Sequence, residues 1–172
     1  MEFTPDGRFL VVGASSALHL FQVDPWSQCG KIAAHTGSVW AVAMDPKGPY
    51  MATGGGDGLT CLWDRESLVC SRVFGAKDTP NMSLAFSHDG KYLAIGSNED
   101  TNIEIRSTAD GAGRRRCARW GYTAGTGTVA QQLYSAKPID SAKWNPKHFM
   151  LAFTGDYVRD RQGETNLWCA GS

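Results

Sequence analysis

His35 and Asp57 are of the types that could move a proton, an imidazole and a carboxylate able to orient it. Such a role needs a nucleophile and an oxyanion site as well, and no such set can be assembled from this sequence. The chain is therefore expected not to be an enzyme. A second chemistry is suggested by Arg114, Arg115, Arg116 and Arg119, which stand close to Trp120 and Tyr122. Guanidinium groups pair with phosphates and aromatic rings stack on bases, so this cluster has the makings of a single-stranded RNA contact. The competing reading is a solvated loop. It is favoured by the balance of charge, with Lys and Arg numbering 17 and Asp and Glu also 17.

Other signals carry less. The run GTGTVA at 125–130 has the spacing of a dinucleotide loop, but Lys137-Pro138 arrives too soon for the crossover helix such a loop requires. His19, His35, His88 and His148 are far apart and have no Cys at metal-ligand spacing, so no metal site is expected. Cys29, Cys61, Cys70, Cys117 and Cys169 form an odd set without a Cys-x-x-Cys pair, as reduced thiols would. Asn81-Met82-Ser83 fits the glycosylation triplet, yet nothing else suggests secretion. The apolar runs are far shorter than the ~20 residues of a membrane span, and MEFTPDGRF lacks the order of a signal peptide. An intracellular protein is expected, with no cofactor, no membrane contact and no small-molecule substrate.

The elements that must position these residues are written as a repeat. An aromatic or Met, a short turn, an apolar run, a second turn and a second apolar run recur at FTPDGRFLVVGASSALHLF, MDPKGPYMATGGGDGLTCLWD, FSHDGKYLAIGSNEDTNIEI and WNPKHFMLAFTGDYVRDRQGETNLW. The turn position falls at Pro5, Pro46, His88 and Pro146. Its period is about 40–45 residues, that of a four-stranded propeller blade, with one longer last step. In the clearest copy, 38–44, 50–53, 59–63 and 68–74 read as strands rich in Val, aromatic and Thr residues. Helix has no comparable claim.

The expected fold is all-β, with blade-like units at about 1–34, 35–77, 78–137 with an insertion near 109–132, and 138–172. The first copy starts at the very end of a first strand, and the last offers three strands, near 139–144, 149–153 and 165–168. A closed ring leaves only short, protected edges, whereas these terminal units are incomplete. The chain therefore reads as about four blades of a larger ring, either a piece of it or completed by another chain.

His35, Thr53, Asp57 and the Trp63-Asp64 pair resemble the signature of the WD-repeat family. The resemblance implies a hydrogen-bonded network in which the Asp holds the His, the His binds the hydroxyl and the hydroxyl binds the indole N–H. The third copy has Ile95 at the position of Thr53 and so lacks the full set. Further phrases, namely ESLVCSRVF at 66–74, FSHDGKYLA at 86–94, Ile103-Glu104-Ile105 where a Trp-Asp pair is expected, and WNPKHFMLAF at 144–153, are similar to the THO complex subunit 3 family. That resemblance implies a seven-bladed ring and a non-enzymatic nuclear scaffold in messenger-RNA processing and export. Its implied partners are the other THO subunits, with RNA engaged mainly indirectly. An adaptor of another assembly, in ubiquitin ligation or signalling, is the alternative.

Overall fold

The computed structural model describes residues 1–75, 79–97, 99–108, 129–135, 138–155 and 164–169, the last six and residues 129 and 155 by backbone alone. Within them the chain forms four antiparallel sheets, each built from strands consecutive in sequence. The first contains β1 (Glu2–Phe3), β2 (Phe9–Ala14), β3 (Ala17–Gln22) and β4 (Ser27–Ala33). The second contains β5 (Val39–Met44), β6 (Tyr50–Gly55), β7 (Thr60–Asp64) and β8 (Cys70–Phe74). The third contains β9 (Ser83–Phe86), β10 (Tyr92–Gly96), β11 (Asn102–Ser107) and β12 (Val129–Tyr134). The last has three described strands, β13 (Ser141–Trp144), β14 (Met150–Gly155) and β15 (Glu164–Cys169). These are meandering blades, and β1 is only two residues long.

Two turn chemistries alternate along one edge of the blades. In TPDGR and SHDGK, a hydroxyl and a backbone N–H converge on an aspartate. Thr4 Oγ1 donates to Asp6 Oδ1 at 2.6 Å, and the Arg8 N–H donates to the same oxygen at 3.1 Å; Ser87 Oγ donates to Asp89 Oδ1 at 2.7 Å, and the Lys91 N–H donates to it at 3.1 Å. The glycine that follows the aspartate has φ of 70° at Gly7 and 75° at Gly90, a conformation that a Cβ disfavours. In DPKG and NPKH the first residue does the work instead. Asp45 accepts from the backbone of Lys47 and Gly48, and Asn145 from that of Lys147 and His148.

Alternation then gives every sheet two apolar faces. Val11, Leu18 and Leu20 of the first blade meet Val39, Met51, Cys61, Trp63 and Val73 of the second. Ala43, Ala52, Leu62 and Phe74 on the second blade's other face meet Leu84, Phe86, Leu93 and Ile95 of the third. Ala94, Ile103, Ile105 and Leu133 in turn cover Ile139, Ala142, Leu151 and Phe153 of the last.

Register corrects three sequence readings. The fourth strand of the second blade starts at Cys70, because Asp64 caps a turn through Glu66 and Ser67 and Leu68 takes φ 55° to leave it. In the third blade Arg106 pairs with Leu93 as Trp63 pairs with Met51, so Arg106-Ser107 and not Ile103-Glu104-Ile105 occupies the Trp-Asp register. β12 begins at Val129, inside the stretch read as insertion, since residues from 129 onward pair with β11.

The outer face of the first blade has no described neighbour. Leu10, Val12 and Phe21 lie half-buried on it, with Phe3 57% and Trp26 62% exposed and Trp26 stacked on Phe21 at 5.2 Å. Such a patch favours association. The 172-residue chain is expected to self-associate in solution, and Leu10→Lys combined with Phe21→Lys to shift it toward 18.6 kDa monomer in size-exclusion chromatography with light scattering. A wild-type monomer with a cooperative melt would contradict this.

Candidate functional site

Thr53 on β6 and Trp63 on β7 point to the same face of the second blade, toward the first blade. His35 lies just before β5, and Asp57 lies in the tight turn between β6 and β7. The structure brings all four together. Trp63 Nε1–H donates to Thr53 Oγ1 at 2.9 Å, and Thr53 Oγ1 lies 2.8 Å from His35 Nε2. His35 Nδ1 lies 2.9 Å from Asp57 Oδ1. An indole N–H can only donate, so the assignment that satisfies every group sends the hydroxyl proton to His35 Nε2 and places the ring proton on Nδ1, facing Asp57.

Local sequence explains the closeness. A Cβ on Gly55 would overlap both His35 Nδ1 and Asp57 Oδ1, so the Gly-rich turn is needed for space as well as for curvature, Gly58 having φ 73°. Asp57 also accepts the backbone N–H of Thr36 at 2.9 Å and of Leu59 at 3.1 Å, tying the segment before β5 to the turn. Burial alone would push the Asp57 carboxyl up. The Thr36 N–H, the electrostatic attraction of the His35 ring, the Leu59 N–H and the His35 hydrogen bond together outweigh it and hold the carboxyl below its ordinary value.

As chemistry, this Asp-His-Thr order has the outline of a proton relay without its access. The His35 side chain is wholly buried and Thr53 is 0% exposed, its hydroxyl held between imidazole and indole. A nucleophile must reach a substrate, and this one is enclosed. What the chain of bonds does provide is a satisfied polar line across a buried face, which specifies one geometry.

The other blades solve the same position differently. In the third, Ile95 replaces the hydroxyl, and Arg106 lies over the Phe74 ring at 5.8 Å while its Nη2 reaches Glu104 at 2.6 Å. Sequence reasoning missed this pair, because only strand register shows that Arg106 stands where Trp63 does. In the first blade, Val12 and Phe21 hold the equivalent places. In the last, Trp168 pairs by backbone with Leu151, as Trp63 does with Met51. Arg114, Arg115, Arg116, Arg119, Trp120 and Tyr122 lie outside the described residues. Of the described residues on either side, Thr108 directly follows β11 and Val129 opens β12. Among the described residues there is no group of His, Cys, Asp and Glu that could hold a metal ion.

Two outcomes follow from this geometry. Trp63→Ala is expected to cost on the order of 3–5 kcal/mol in urea unfolding, whereas Trp63→Phe, which keeps most of the ring but strips the hydroxyl of its donor, should cost about 1–3 kcal/mol. A native melting temperature for Trp63→Ala would contradict the burial. Because Asp57 is held below its ordinary value of 3.8, its contribution to stability is full above that value and is lost as pH falls through the lower folded value. The stability gap between wild type and Asp57→Asn should therefore be constant from about pH 5 upward and shrink below about pH 4; a gap that widens on acidification would refute the sign.

The family described as WD domain, G-beta repeat, matches residues 26–64, the span that contains this network. The chain is 33% identical over 125 residues to THO complex subunit 3 of Arabidopsis thaliana, covering 73% of this chain and 34% of that protein. It is 35% identical over 104 residues to pre-mRNA-processing factor 19 of Oryza sativa subsp. japonica, covering 59% of this chain and 19% of that one. The chain thus spans about a third or less of the length of these relatives. The crystal structure of the Myceliophteria thermophila Cps50 (Swd1) beta-propeller domain superimposes with a TM-score of 0.74 at 17% identity, over 99% of this chain and 52% of that one, a likeness of fold. With its repeated four-stranded blades and the His-Thr-Asp-Trp signature in the second, the chain has the fold of a WD-repeat β-propeller, carries the WD repeat over residues 26–64 and is similar to THO complex subunit 3.

Proposed function

We propose that this chain is part of a non-catalytic interaction scaffold, a subunit of a THO-type complex acting in the nucleus in messenger-RNA processing and export. The observation that carries the reading is the similarity to THO complex subunit 3 across 73% of the chain, far beyond residues 26–64 matched by the general repeat. Pre-mRNA-processing factor 19 among the relatives supports the same setting. Physically, a propeller offers rigid turns at both edges of its blades and needs no mobile part to bind, which suits a platform for other subunits. His35, Thr53, Asp57 and Trp63 act in this reading as the brace that keeps the second blade's turns in place. The four blade units, with boundaries near 34, 77 and 137, are the pieces from which the platform is built.

RNA contact is a second reading, favoured by the composition of the β11–β12 connection. Arg114, Arg115, Arg116 and Arg119 with Trp120 and Tyr122 would supply phosphate pairing and base stacking.

Affinity purification of the full-length protein from nuclear extract is expected to recover the other THO subunits. Consistent recovery of a ubiquitin ligase or a signalling complex in their place would reject the assignment. For RNA, binding should weaken with salt and fall on changing Arg114, Arg115 and Arg116 together to Ala; unchanged affinity in that variant would remove the second reading.

A further inference from the structure

The first two blades have the same strand register, bulge included. Val11, Leu20 and Gly30 form one cross-strand row, and Ala52, Leu62 and Arg72 form its counterpart. Each outer strand then bulges at the next position toward its N-terminus, where Cys29 Sγ contacts Leu20 O at 3.5 Å and Ser71 Oγ donates to Leu62 O at 2.9 Å. Gly30 therefore stands where Arg72 stands one blade on, and Gln131 fills the place in the third blade.

The two blade interfaces differ accordingly. Between the second and third blades, the Arg72 guanidinium crosses the gap and donates to Thr108 O at 2.8 Å. Between the first and second, Gly30 sends no side chain, and a groove of about 580 Å³ opens instead. Its walls include Val11, Leu20, Met51 and Leu68, and its charged lining residues are Asp6, Arg8, Arg65 and Glu66. The acceptor equivalent to Thr108 is Arg65, since Arg65 N bonds Pro49 O at 2.8 Å as Thr108 N bonds Lys91 O at 2.8 Å.

We propose that this groove receives an arginine side chain from a partner protein, which takes the place that Arg72 fills within the chain one blade on. The aliphatic stem would lie along Leu20 and Met51 and the guanidinium would reach the Arg65 carbonyl and the Glu66 carboxylate. Rim charge suits that occupant. Arg8 is paired with Asp6 at 2.7 Å and the Arg65 guanidinium is turned to Gly48 O at 2.5 Å, whereas Glu66 is exposed and has no ion-pair partner among the described residues. The inference stands apart from the THO assignment, because it depends only on the register of two blades.

Cys29, exposed and part of the groove lining, supplies a local readout. The rate of Cys29 alkylation by iodoacetamide, followed by mass spectrometry on the 172-residue chain, is measured against N-acetyl-arginine methylamide, with Cys70 as internal reference. Saturable slowing at Cys29 but not Cys70 is expected, in the millimolar range for so small a probe. The citrulline and leucine analogues should require at least about tenfold higher concentration, as should the arginine probe with Glu66→Gln. Gly30→Arg should abolish protection by filling the groove from within; a Cβ there meets only Leu20, at 3.7 Å, so the site has room for it. Absence of protection, equal protection by the citrulline or leucine analogue, or undiminished protection in Gly30→Arg or Glu66→Gln would each overturn the proposal.

Discussion

The structure depends on apolar rows shared between neighbouring blades. A lone four-stranded sheet with two apolar faces cannot bury either, so each blade is stable only as a layer between others. Leu62 and Leu93 illustrate the arrangement: both are 0% exposed, on facing blades, and neither would be covered within its own sheet. Burial of a leucine side chain contributes roughly 1.5–3 kcal/mol, whereas a typical internal hydrogen bond contributes about 1 kcal/mol net. Packing between blades therefore provides the stability, and the polar features decide where the turns sit.

The Asp57-His35-Thr53-Trp63 line should be seen in that light. It occupies a face already closed by Val11, Leu18 and Val39, and its donors and acceptors match one another, so burial costs little. Its effect is to tie the segment before β5 to the β6–β7 turn through Thr36 and Leu59. The third blade shows that this tie can be replaced. Ile95 makes the face apolar, and the Arg106–Glu104 pair rests against Phe74 of the blade before it. Where neither device nor large side chain is present, at Gly30, a groove is left between blades.

Much of this was legible in the sequence for a physical reason: turn and strand chemistry is local. TPDGR, SHDGK and GGGDG read as turns from their glycines and aspartates alone, whereas the hydroxyl–aspartate bonds within the first two and the room that Gly55 leaves for His35 and Asp57 come from the fold. Features that depend on register were not legible. Arg106 stands one strand position beyond the residues that align with Trp63 by eye, because the turn before β11 differs in length from the turn before β7. The groove at Gly30 was invisible for the same reason, since a glycine in a strand does not reveal what the equivalent residue does one blade away. Insertion length hid the start of β12 at Val129, where weak alternation in VAQQLY gave no clear boundary.

Native-state hydrogen exchange in low concentrations of denaturant tests the shared-row account most directly. If facing rows hold the blades together, the slow amides of Ala52 and Leu62 in the second blade and of Ala94 and Ile105 in the third should converge on one opening free energy. Truncating Leu62 to Ala should then lower protection in both blades by the same amount. Loss of protection confined to the second blade, with the third unchanged, would mean that blades are stable singly and would contradict the account.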